Sequence, residues 1–112
     1  MSGITTHVLD TARGRPAAGV GVTLERLSDG ARWDVAGAGR TDDDGRLRTL
    51  LEGAASPGLY RLVFDTAAYF ESHGARAFYP HITIAFEVTE GEAHYHVPLL
   101  LSPYGYTTYR GT

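Results

Sequence analysis

Apolar and polar positions alternate with a period of two along most of this chain, and that rhythm predicts strands almost throughout. VGVTLERL (residues 20–27) sets Val20, Val22 and Leu24 on one face and Gly21, Thr23 and Glu25 on the other. Similar segments are ITTHVLD (4–10), ARWDVAGA (31–38), RLRTLL (46–51), LYRLVFD (59–65), HITIAFEV (81–88), HYHVPLLL (94–101) and YGYTTYR (104–110). Turn clusters separate them: TARGRPA, SDG, TDDDG and EGAASPG. Only TAAYFESHG (66–74) breaks the rhythm, and it reads as a short helix with Thr66 as N-cap and Gly74 as its close. No repeat, linker or low-complexity tract divides the chain. The expected fold is all-β: a single domain over residues 1–112, a two-sheet sandwich of about eight strands with one short helix.

Parity then sorts the polar groups. In HYHVPLLL the apolar face is Tyr95, Val97, Leu99 and Leu101, so His94, His96 and Pro98 point away from the core. In ITTHVLD, Ile4, Thr6 and Val8 share one face, and His7 lies opposite with Thr5 and Leu9. Arg46 and Arg48 share a parity that Leu47 and Leu51 do not. Three imidazoles and a pair of guanidinium groups therefore sit on strand faces turned from the core, either wet or covered by another subunit. Pro98 lacks an N–H, which suits an edge strand or a bulge.

Composition narrows the chemistry. A chain of 112 residues, 43% apolar and 11% aromatic, is globular and needs no metal or disulfide to fold. The net charge of −3 is scattered, and all ten cations are arginine with no basic stripe, so no nucleic-acid partner is expected. The absence of cysteine excludes disulfides, iron–sulfur clusters, thiolate zinc and a cysteine nucleophile. No apolar run reaches membrane-spanning length and no signal-peptide core follows Met1-Ser2-Gly3-Ile4, so a cytoplasmic protein without a membrane partner is expected. His94-x-His96 has a same-face spacing that metals exploit on strands, but no third ligand stands out, and no metal is expected. No nucleophile elbow accompanies the histidines, and GAGR (37–40) lacks the lysine and helix of a phosphate loop.

HVLD near the start, TDDDGR in the middle and HYHVPLLLSPYGYTTYRGT at the end together resemble the transthyretin-related family, in its 5-hydroxyisourate hydrolase branch. GRPAAGVGVTLERL, GLYRLVFDTAAYF and FYPHITIAFEV follow the family's order, so the resemblance spans essentially the whole chain. The most specific part is the closing Tyr109-Arg110-Gly111-Thr112, where the hydrolases usually end in serine; threonine keeps the hydroxyl and adds a methyl. The resemblance implies His7, Arg46 and His96 as catalytic residues, with Tyr109, Arg110, Gly111 and Thr112 lining the same substrate pocket. It implies cofactor-free hydrolysis of 5-hydroxyisourate to 2-oxo-4-hydroxy-4-carboxy-5-ureidoimidazoline in urate degradation. It further implies a homotetramer whose sites lie in the channel where two dimers meet. Which histidine acts as base, and whether Arg110 does chemistry or ties down the terminus, stay open. His94, Arg48, Tyr104 and Tyr106 are expected to support by packing or at an interface. The rivals are a carrier that uses the same channel for an aromatic ligand, which predicts an apolar channel, and a structural sandwich with a mobile tail.

Overall fold

The computed structural model describes residues 3–112. Nine strands occur among them: β1 (Ile4–Asp10), β2 (Arg15–Pro16), β3 (Gly21–Ser28), β4 (Arg32–Arg40), β5 (Arg46–Leu47), β6 (Gly58–Phe64), β7 (Ile82–Val88), β8 (Tyr95–Ser102) and β9 (Gly105–Thr108), with helix α1 (Thr66–Ser72) between β6 and β7. They form two sheets. One runs β2-β1-β8-β9 with β5 also on β1, and the other runs β4-β3-β6-β7. Ile4, Val8, Val97, Leu99 and Leu101 of the first sheet join Val22, Leu24, Leu62, Phe64 and Ile84 of the second in one buried cluster. Each such side chain contributes about 1.5–3 kcal/mol by leaving water. The expected all-β two-sheet sandwich is what these residues build, and the inward faces are those that alternation assigned.

The differences are local and each has a cause. RLRTLL yields only the two residues of β5, because the next buried side chain after Leu47 is Leu50, and Thr49 is exposed where alternation wants an inward residue. Within the expected TARGRPA turn, Arg15–Pro16 pairs with Leu9–Asp10 as β2. Asp65, not Thr66, occupies the N-cap of α1, without a side-chain hydrogen bond. Thr66 is the first helical residue, and its buried hydroxyl has no partner among the described residues. Gly74, at φ +71°, follows the helix as expected.

Pro98 needs the largest correction. Its strand is no edge: β8 lies between β1 and β9. The β8–β9 register, Leu99 opposite Thr108, continues unshifted to a bridge between His96 and Gly111, so Pro98 falls opposite Tyr109. With no N–H to donate, Pro98 removes one rung. Its carbonyl accepts from the Thr108 hydroxyl at 2.7 Å, and pairing resumes where Gly111 N–H donates to the His96 carbonyl at 2.8 Å.

Candidate active site

Two pairings assemble the site. Parallel pairing of β1 with β8 sets Thr5 beside His96, and antiparallel pairing of β1 with β5 sets His7 beside Arg46. The turn before β5 fixes the second. Asp42 Oδ1 accepts from the backbone N–H groups of Asp44 and Arg46, each at 2.9 Å. The Arg46 N–H first, then that of Asp44 and the Arg48 and Arg46 charges, hold this carboxyl below its ordinary value against the opposing effect of burial. Gly45 closes the turn at φ +76° and accepts from Val8 N–H at 2.7 Å; the Val8 carbonyl lies so near that no side chain would fit. The TDDDG run thus aims Arg46 and Arg48 across β1.

A cavity of about 440 Å3 opens here, lined by Thr5, Thr6, Arg46, Arg48, His94, His96 and Thr112. The His96 imidazole is pushed below the ordinary histidine range, by burial first, then by Arg46, His7, His94 and Arg48. It is therefore neutral near pH 7. Thr5 Oγ1 lies 2.8 Å from His96 Nδ1 and 3.1 Å from His94 Nε2. His7 stands beside the cavity, not in its wall, with Nε2 at 2.9 Å from the Asp44 carbonyl oxygen. A carbonyl only accepts, so Nε2 carries a proton, and neutral His7 keeps the lone pair of Nδ1 free.

The closing tetrapeptide divides. Thr112 lines the cavity, and Gly111 packs flat on His96, where an added Cβ would fall 2.6 Å from the ring's Cδ2. Tyr109 and Arg110 turn to a second cavity of about 240 Å3, bounded by Ile84, Phe86, Tyr95 and Val97, that shares only His96 with the first. Arg110 lies 4.6 Å above the Tyr95 ring and 3.6 Å from Glu92, contacts that hold the terminus. The expected site residues Arg46, His96 and Thr112 thus meet in one cavity, His7 flanks it, Gly111 backs it, and Tyr109 and Arg110 face elsewhere. Arg48 and His94 are in the wall, closer than a supporting role suggested, whereas Tyr104 and Tyr106 are exposed outside it. Sequence reasoning passed over Thr5 and Thr6; for Thr5 the signal was its shared parity with His7. Among the described residues, no three His, Cys, Asp or Glu side chains converge as a metal cage.

A family model described as HIUase/Transthyretin matches residues 4–111. The chain belongs to the HIUase/Transthyretin family. Within that family it is 48% identical over 110 residues to a 5-hydroxyisourate hydrolase of Salmonella typhimurium, covering 97% of this chain and 80% of the relative. The solved Klebsiella pneumoniae 5-hydroxyisourate hydrolase superposes with a TM-score of 0.88 at 35% identity, covering all of both chains. A Sparus aurata transthyretin superposes with a TM-score of 0.92 at 32% identity, covering 99% of this chain and 97% of that one. Backbone shape therefore does not separate the branches of the family, since the transthyretin overlays at least as well as the hydrolase. Whatever separates them lies in side chains.

Proposed function

We propose that this chain hydrolyses 5-hydroxyisourate to 2-oxo-4-hydroxy-4-carboxy-5-ureidoimidazoline in urate degradation, without a cofactor. The observation that carries the reading is the cavity wall: an imidazole held neutral, two arginines, a second histidine and Thr112 around one space. In the proposed reaction water attacks a ring carbonyl carbon of the six-membered ring. A C–O bond forms, the ring C–N bond breaks, one water proton passes to a base, and the departing nitrogen takes up a proton. His7, with Nδ1 free, accepts the proton from water. Arg46 offers its planar donor fork to the substrate's oxygens and stabilises the charge that grows there. His96 and Thr112 face the same space and orient the reacting group. Arg110, engaged by Tyr95 and Glu92, anchors the tail.

The reading extends to a cytoplasmic homotetramer with sites in the channel between two dimers. Support comes from β9 and β7, each the last strand of its sheet among the described residues, whose outer edges offer backbone groups to a second copy. A carrier draws support from the transthyretin overlay, but its aromatic ligand would meet two guanidinium groups in this cavity. The test is to generate 5-hydroxyisourate with urate oxidase and follow its ultraviolet absorbance. Faster decay with the protein than without it is expected; a spontaneous rate in both would favour the carrier.

A further inference from the structure

We infer that Thr5, with His94 behind it, is a positioning residue that fixes His96 in the tautomer with its proton on Nε2. Thr5 Oγ1 lies within bonding distance of two ring nitrogens, His96 Nδ1 at 2.8 Å and His94 Nε2 at 3.1 Å, and the residue is only 7% exposed. A hydroxyl carries one hydrogen, and among the described residues these two nitrogens are the partners of Thr5 Oγ1, so the hydroxyl donates to one ring and accepts from the other. Two assignments exist. If His94 Nε2–H donates to Thr5, the hydroxyl donates to His96 Nδ1, and this works whether His94 is neutral or charged. The reverse requires a neutral His94 protonated on Nδ1 and fails as soon as that ring is charged. The first assignment needs only that neutral His96 keep its lone pair on Nδ1, whereas the second also constrains the charge and the tautomer of His94.

The placement is built into the sheet. Parallel register sets Thr5 directly beside His96, and the neighbouring Thr6, on the opposite face, spends its hydroxyl on the Val97 carbonyl at 2.6 Å. Of the tandem threonines one serves the backbone and the other the histidines. Resting on the hydrolase reading, the consequence is a division of labour. His7 holds a free lone pair, and His96 presents Nε2–H, a neutral donor suited to a developing oxyanion.

The experiment reads the histidine ring nitrogens of the whole protein by 15N NMR at about pH 8, above the usual histidine pKa of about 6.5. His96 is expected to show a bare Nδ1 and a protonated Nε2; a proton on Nδ1 overturns the inference. Thr5→Val should scramble this signature and lower kcat about 10²-fold with KM nearly unchanged, the lower end of what a well-set acid–base group contributes. Thr5→Ser should restore both. His94→Gln, which replaces Nε2–H with an amide N–H, should keep the signature, and His94→Leu should lose it. Unchanged His96 shifts in both Thr5→Val and His94→Leu sink the idea. The expected signature in a protein that leaves 5-hydroxyisourate decay unaltered overturns the hydrolase reading instead, and leaves the positioning role standing.

Discussion

The two ends of β1 both carry polar groups, and they treat them in opposite ways. At the far end Asp10 is 1% exposed and fully engaged: Oδ1 accepts from Ala12 and Arg13 N–H at 3.0 Å each, and Oδ2 accepts from the Tyr69 hydroxyl at 2.8 Å. Burial first, and then the bond to Asp10, push the Tyr69 phenol above its ordinary value, so it stays a donor. Nothing there is left to offer a substrate. Nearer its start, the Thr5 hydroxyl engages one nitrogen of His96 and the Asp44 carbonyl one nitrogen of His7, and the other nitrogen of each ring is left unspent, in the cavity wall or beside it. The same strand thus carries a closed network that holds the fold and a half-closed one poised for chemistry. Burial alone does not distinguish them; unspent bonding capacity does.

Variants can break this contrast, beginning with the largest effect. Deleting residues 109–112 should abolish turnover of 5-hydroxyisourate while gel filtration still finds a folded oligomer; an unfolded product would make the tail structural. His7→Ala, Arg46→Ala and His96→Ala should each lower kcat by roughly 10²-fold or more, the usual cost of an acid–base or oxyanion group, with thermal melting little changed. Near-normal hydrolysis in all three would remove the chemistry from this end of the strand. Gly111→Ala presses a methyl on the His96 ring and should cost about tenfold in kcat through misplacement alone. Tyr69→Phe should do the converse, lowering stability in urea by roughly 1.5–3 kcal/mol, the worth of a hydrogen bond to a charged group, with kcat intact.

The smallest expected effect is on pH dependence. His96 is surrounded by Arg46, Arg48, His7 and His94, with the Thr112 end in the same wall. Its native pKa lies below the unfolded one, so the unfolded chain binds more protons and stability falls as pH drops through about 6.5. If neutral His96 is the active form, the acid limb of kcat/KM lies below that value. Arg48→Met should move the limb upward by a fraction of a unit; a limb that stays put is not that of His96.

What was legible in the sequence follows from how local its cause is. Alternation placed Val22, Leu24, Tyr95, Val97 and Leu99 correctly because a sheet with one buried face imposes a period of two. Asp42 was legible as a turn residue because its partners Asp44, Gly45, Arg46 and Arg48 all follow close behind it in the chain. Thr5 was not, since its partners are 89 and 91 residues away and only the parallel β1–β8 pairing brings them near. Pro98 misled for a related reason: its missing rung is made good by Thr108, a neighbour that local pattern does not reveal. The family resemblance supplied His7, Arg46 and His96 as a set, but it did not divide the tail into Thr112 at the cavity and Tyr109 and Arg110 behind it.

The parallel pairing of the first long strand with the last has a consequence for biosynthesis. A ribosome that has made β1 through β7 has given β1 only the two-residue strands β2 and β5 along one edge, so the growing chain carries its other edge unpaired until β8 emerges. Competence cannot build up gradually during translation. It arrives only once β8 has been made, and a message cut short before His96 leaves Thr5 without the rings it bonds.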